Sequence, residues 1–221
     1  YRRLLSDASF RFFTASCLFG TLASGLAYIL LIWMVSAKHA SISQTLCMML
    51  CFWIPRLLFG AHIGAWVDRI DRRKLMIIAE TLRAVKFLLF GIVICWHSNL
   101  YLLYLLTFLA GCFGALYLPL LPAFVYDLVD QHELLHANTL INSSFEMGNI
   151  LGRGVLALII IYFFTPAQGL FVVALLYVFS AWTIVPICLH NKKTSKKNTH
   201  GAISKDIVKV IELLKKNTQL R

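Results

Sequence analysis

Gly64-Ala65-Trp66-Val67-Asp68-Arg69-Ile70-Asp71-Arg72-Arg73-Lys74 is the stretch on which the reading of this chain turns. It crowds six charges between two long apolar runs, Ser43–Val67 and Leu75–Trp96. Each run exceeds the roughly 20 residues that a helix needs to cross about 30 Å of hydrocarbon. Charges in such density are too costly at membrane depth, so the segment is a loop at a membrane boundary. Four more runs of similar length follow the same pattern: Phe10–Ser36, Leu100–Ala123, Ala137–Phe164 and Gly169–Leu189. The breaks are polar turns, Lys38-His39-Ala40-Ser41 and His97-Ser98-Asn99, and a proline turn, Thr165-Pro166-Ala167-Gln168. A transmembrane β-barrel would show alternating segments about half as long, and none occur. The expected fold is an all-α membrane protein, a six-transmembrane-helix bundle over residues 1–190 followed by a polar tail, 191–221.

Composition agrees. Of 221 residues, 59% are hydrophobic and 14% charged, whereas a soluble domain is about one quarter charged. A soluble enzyme and a disordered chain are both excluded. The charges are lopsided, with 21 Lys+Arg against 10 Asp+Glu and a net charge of +11, which alone could suggest nucleic acid. Their placement points elsewhere. Arg2, Arg3 and Arg11 precede the first run, Arg69, Arg72, Arg73 and Lys74 follow the second, and nine more from Lys192 to Arg221 follow the sixth. All lie on the side of both termini; Lys38 stands alone on the other. The positive-inside rule makes both termini cytoplasmic, in a multi-pass protein of the inner membrane. The partner implied by the basic residues is the lipid bilayer, through its acidic headgroups, and not nucleic acid. The tail opens as a basic linker, and Ile203, Ile207, Val210, Ile211 and Leu214 then recur at the spacing of a short amphipathic helix. A chain that starts at Tyr1 and stops just after this helix reads as a fragment.

The opening loop carries more than charge. Gly60 and Gly64 form a G-x-x-x-G that permits close helix approach. Asp68 can meet a helix N-terminus or an arginine, and the basic residues hold the loop to headgroups. The segment resembles the signature loop between helices two and three of the major facilitator superfamily, G-x-x-x-D-R-x-G-R-R/K, with Asp71 in place of the second glycine. Pro55-Arg56-Leu57-Leu58-Phe59-Gly60, Leu82-Arg83-Ala84 and the stretch from Glu133 to Ser144 resemble its bacterial branch of siderophore (enterobactin-type) and macrolide-efflux-like exporters. The resemblance implies the N-terminal six-helix half of a twelve-helix secondary transporter. It implies export of a small organic substrate, siderophore- or drug-like, by rocking of two halves, driven by protons. It further implies a C-terminal six-helix half as a partner that this chain lacks, no cofactor, and gating by Gly60, Gly64, Asp68, Arg69, Arg72 and Arg73.

Ionisable groups inside spans are functional candidates by default. Arg83 and Lys86 lie near the cytoplasmic end of span three and can snorkel; Arg56 and Arg153 lie too deep for that. Span five carries Asn138, Asn142, Glu146, Asn149 and Arg153, spaced 4, 4, 3 and 4 apart and hence on one helix face. Such a stripe must face protein or water. It either forms a structural network, with Glu146 paired to Arg153 or Arg56, or lines a cavity. Gly148-x-x-x-Gly152 beside it invites close packing. Against the resembled family's antiporter motif, G-P-x-x-G, Arg153 stands where proline is expected, and in span one Gly25 is followed by Leu26 rather than an aspartate. Glu146 is then the acidic residue near mid-membrane and the expected coupling group. Tyr28 and Tyr117 are deep enough to contact substrate, on spans that line the cavity in the resembled family.

Other chemistries are weaker. His132-Glu133-Leu134-Leu135-His136 is a literal H-E-x-x-H, but it sits at a short loop and lacks an extension that would supply a third ligand, so no metal site is expected. The six cysteines all fall in apolar runs without a C-x-x-C. No G-x-x-x-x-G-K-[ST] or G-x-S-x-G occurs. The chain is not expected to be an enzyme. The competing expectations are a transport-incompetent fragment or split half needing a partner bundle, and, as a minor one, a membrane zinc metalloprotease.

Overall fold

A computed structural model describes residues 4, 6–36, 41–67, 71–96 and 99–187, with backbone only over 61–67. The tail 191–221, where an amphipathic helix is expected, Lys38, and the loop residues Asp68 and Arg69 lie outside the described residues.

Among the described residues every regular element is helical. Span one is α1 (Ala8–Ser36), span two α2 (Ile42–Val67) and span three α3 (Arg72–Trp96). Span four is broken into α4 (Leu100–Ala115) and α5 (Tyr117–Leu128). Pro119 and Pro122 remove backbone donors just past that break, which is where a helix has to yield. Span five runs as α6 (Leu134–Leu151), a π-helical turn (Gly152–Leu156) and α7 (Ala157–Phe163); span six is α8 (Pro166–Ile184). The starts are specified locally. Asn99 caps α4 by accepting from the Tyr101 N–H at 3.3 Å. Asp71 accepts from the Arg73 N–H at 3.1 Å at the start of α3. Thr165 and Gln168 form a reciprocal capping box ahead of α8, with Pro166 at its first turn.

Five of the segments are long and apolar enough to cross a membrane by length and composition: Ala8–Ser36, Ile42–Gly60, Leu100–Leu128, Leu134–Phe163 and Pro166–Ile184. The remaining span, α3, is long enough at 25 residues but carries Glu80, Arg83 and Lys86 along its middle, and all three are buried within the bundle.

α1 is the central helix and packs against both α8 and α6, while α3 lies on α8 and α2 on α4. Without a hydrophobic driving force between helices in lipid, close backbone approach carries much of this association. Gly148 and Gly152 supply it at the α1–α6 seam. A Cβ on Gly148 would collide with the Thr21 side chain, and one on Gly152 with the Leu22 carbonyl. The expected close approach at Gly60 is not made: a Cβ there would meet nothing within 4 Å, because no described helix covers that side of α2.

Two apolar clusters fill the interior. One holds Phe10, Phe13, Met76, Leu120, Phe124 and Ile184; the other holds Leu26, Leu30, Phe87, Phe90, Leu103 and Leu170. Between them lies a polar waist of buried Ser16, Thr21, Glu80, Arg83 and Ser180. Ser16 and Ser180 join α1 to α8 there, with their hydroxyls 3.0 Å apart.

Candidate central site

The waist opens into a small cavity of about 10 Å³ whose walls include Ser24 of α1, Phe52 and Arg56 of α2, Arg83 and Lys86 of α3, and Tyr177 of α8. α3 sets the chemistry. Its residues Glu80, Arg83 and Lys86 fall three apart on the inward face, while Ile78, Leu82, Val85, Leu88, Leu89 and Ile92 are exposed on the outward face. The helix is thus amphipathic in the membrane sense, with its charges inside and its grease outside.

Glu80 is fully buried and accepts from Arg83 Nη1 at 2.9 Å. Arg83 Nη2 donates to the Tyr177 hydroxyl at 3.0 Å, and the guanidinium lies 4.4 Å from the ring centres of both Tyr117 and Tyr177. An ion pair, a hydrogen bond and two aromatic faces replace the water that Arg83 gives up. Arg56 comes from α2 with its guanidinium 4.1 Å from the Phe52 ring centre. It fits only because residue 114 is glycine, where a Cβ would stand 2.6 Å from Arg56 Nη2. Its Nε is buried with no partner among the described residues. Lys86 is 6% exposed and rests against the rings of Phe87 at 4.3 Å and Phe113 at 5.8 Å, with no hydrogen bond or ion pair among the described residues.

Several expectations change here. Arg83 and Lys86 do not snorkel to the cytoplasmic surface; at 3% and 6% exposure they point inward, because the outward face of α3 is apolar. Glu146 is not the only acid at depth, since Glu80 lies at the centre of the bundle. The spacing Glu80-x-x-Arg83-x-x-Lys86 against an apolar opposite face is the signal that could have found this cluster. Glu146 is exposed on α6 and pairs with neither Arg153 nor Arg56; among the described residues the ion pairs are Arg72–Asp127 and Arg83–Glu80.

The span-five stripe divides. Asn138, Asn142 and Glu146 are exposed, whereas Asn149 is buried and donates from Nδ2 to the Phe145 carbonyl at 3.1 Å. Arg153 leaves the stripe at the π-helical turn and sets its guanidinium 5.3 Å from the Tyr28 ring centre, with Phe52 on Tyr28 at 5.4 Å. Tyr117 is buried beneath Arg83, and its hydroxyl has no hydrogen-bond partner among the described residues. It walls the ion pair, while the cavity itself is lined by others.

At the start of α3, Arg72 Nη1 donates to the Ala123 carbonyl at 3.0 Å and to Asp127 Oδ1 at 2.8 Å, tying α3 to α5. Arg73 donates to the Val185 carbonyl just past α8. These arginines therefore grip protein. Asp68 and Arg69 lie outside the described residues, as do the surroundings of Gly64. The zincin geometry is not formed. α6 begins at Leu134, so His132 sits in the preceding turn and the two histidines do not share a helix face. Among the described residues no three His, Cys, Asp or Glu side chains gather where a metal could be held.

Comparison with known proteins matches the family model described as Major Facilitator Superfamily over residues 12–220. Three proteins of Bacillus subtilis (strain 168) are similar. Multidrug resistance protein 2 is 27% identical over 52% of this chain and 28% of its own length. The uncharacterized MFS-type transporter YfiS is 28% identical over 64% of this chain and 34% of its own length. Multidrug resistance protein 1 is 28% identical over 49% of this chain and 27% of its own length. The chain spans about a third of the length of the curated relatives it matches.

Proposed function

Because the chain belongs to the major facilitator superfamily, we propose that it forms one six-helix half of an exporter of small organic solutes, siderophore- or drug-like, driven by a proton gradient. The observation that carries the reading is the exposed stripe Asn138–Asn142–Glu146 on α6. Polar groups in a span cannot be left in lipid. They need a water-filled pathway or a second bundle beside them, and rocking of two bundles about a central cavity uses both. The cavity lies beside the polar waist, with its apolar walls drawn from one of the two apolar clusters, and alternating access would place a substrate there. At about 10 Å³ the enclosed space holds about one water molecule, so a solute needs room supplied by movement of this bundle and from the second half. The names of two relatives, multidrug resistance proteins, support a drug-like solute.

Both termini are placed on the cytoplasmic side of the inner membrane by the basic residues around the loops. The arginine grips of Arg72 and Arg73 form the cytoplasmic gate together with Gly60, Gly64, Asp68 and Arg69. Arg56, Asn149, Arg153, Tyr28 and Tyr117 line or brace the route, with Asn142 on the exposed stripe. Glu146 carries the proton, since it is open to the pathway while Glu80 is held by Arg83. The test is accumulation of candidate siderophores and drugs in cells with and without the gene in its native reading frame. Expression is expected to lower accumulation of at least one solute, and Glu146→Gln to abolish that effect when a proton gradient drives it. Export that survives Glu146→Gln removes Glu146 from the coupling role; no solute affected removes the export reading.

A further inference from the structure

The central cavity has a charge imbalance that neither its own residues nor the packing resolves. Three cations meet there, Arg56, Arg83 and Lys86, against one anion, Glu80. Glu80 is spent on Arg83 at 2.9 Å, which leaves Arg56 and Lys86 without a counter-charge among the described residues. Lys86 is more than nine-tenths buried, lies near the rings of Phe87 and Phe113, and has no hydrogen bond or ion pair among the described residues. Arg56 has a buried Nε with no acceptor. An unpaired charge taken out of water costs several kcal/mol, so a stable bundle has no use for two of them in one cavity unless something enters to neutralise them. Ser24 and Tyr177 add hydroxyls to the lining, and Phe52 and Phe87 add flat apolar walls.

We propose that this cavity is an anion subsite, and that the solute the protein carries is an aromatic or apolar organic anion whose carboxylate, sulfonate or phosphate group is held by Arg56 and Lys86. The inference rests on the transport reading for its biological use and deepens it by naming the substrate class; the binding itself stands without transport. Arg56 is suited to a bidentate grip on a planar oxyanion and Lys86 to a point contact. Glu80 keeps Arg83 from competing, and so sets the number of cations left free at two. A cationic solute is repelled from the same cavity.

The experiment compares two xanthene dyes of similar size and opposite charge, fluorescein and rhodamine 123. Equilibrium binding is measured to the protein purified from its native reading frame, and efflux of each dye from cells expressing it. Fluorescein is expected to bind at least tenfold more tightly. Lys86→Gln and Arg56→Gln are each expected to reduce the fluorescein-to-rhodamine ratio about tenfold, a change of about 1.4 kcal/mol, and Lys86→Arg to retain it. Removing an unpaired buried charge relieves a cost, so Lys86→Met is expected to raise the unfolding midpoint as it lowers fluorescein affinity. A purely structural lysine would lower the midpoint. Equal binding of the two dyes, or a ratio untouched by both glutamine variants, overturns the anion subsite even if efflux is observed. Charge-selective binding without efflux of either dye leaves the subsite standing and counts against the export reading.

Discussion

Burying a guanidinium away from water costs several kcal/mol unless a counter-charge and hydrogen bonds replace its hydration. Arg83 has Glu80 at 2.9 Å, the Tyr177 hydroxyl at 3.0 Å and two aromatic faces at 4.4 Å. Taking away the carboxylate alone leaves the cation uncompensated. Glu80→Gln is therefore expected to destabilise the bundle by about 3–5 kcal/mol, the usual cost of breaking a buried pair from one side. Thermal unfolding in detergent reads this, and Glu80→Gln combined with Arg83→Met should recover a large part of the loss. A single Glu80→Gln variant as stable as the parent would mean that the pair is not formed in the folded protein. The sequence carried the sign of this pair in its three-residue spacing. It could not show that Tyr117 in the next span and Tyr177 in the last close around the guanidinium, because the contact with Tyr177 joins residues 94 apart.

Helix contacts in this bundle depend on which glycines meet a neighbour. Gly148 and Gly152 sit where α6 crosses α1, and a side chain on Gly152 would run into the Leu22 carbonyl. A carbonyl on a central helix cannot step aside as a flexible side chain can, so Gly152→Leu forces α1 and α6 apart. The expected cost is about 1–3 kcal/mol of overpacking, seen as a lowered unfolding midpoint. Gly60 is the contrast. Its G-x-x-x-G spacing with Gly64 looks identical in the sequence, yet the space beside it is open. Gly60→Ala should leave the midpoint unchanged or raise it, since alanine is the better helix former by about 1 kcal/mol. A strong loss at Gly60 together with tolerance at Gly152 would reverse this assignment. Spacing tells that a close approach is possible; the crossing of two helices decides whether it occurs.

At the scale of the molecule, most exposed side chains among the described residues are apolar, as a lipid-facing surface requires, with Leu57 82% and Leu158 70% exposed. The face of α6 that carries Asn138, Asn142 and Glu146 is the departure, and it is equally exposed. In a variant stripped of native cysteines, Asn142→Cys is expected to react with a membrane-impermeant maleimide. Val178→Cys, exposed on the apolar outer face of α8, is expected to remain unlabelled. Equal protection of both would place the stripe against lipid or in a sealed contact and remove it from the pathway. The sequence alone determined that this is an all-helical membrane bundle, because hydrocarbon thickness acts on each segment locally and needs no knowledge of its neighbours. Family membership was legible for the same reason, in one contiguous loop. Only the tertiary structure decided which in-span charges are buried, which are paired and which are left over. Lys86, Arg83 and Arg56 converge from two helices on one cavity, whereas Glu146 turns away from them. Charge balance in a low-dielectric interior is a property of that convergence, and no single segment contains it.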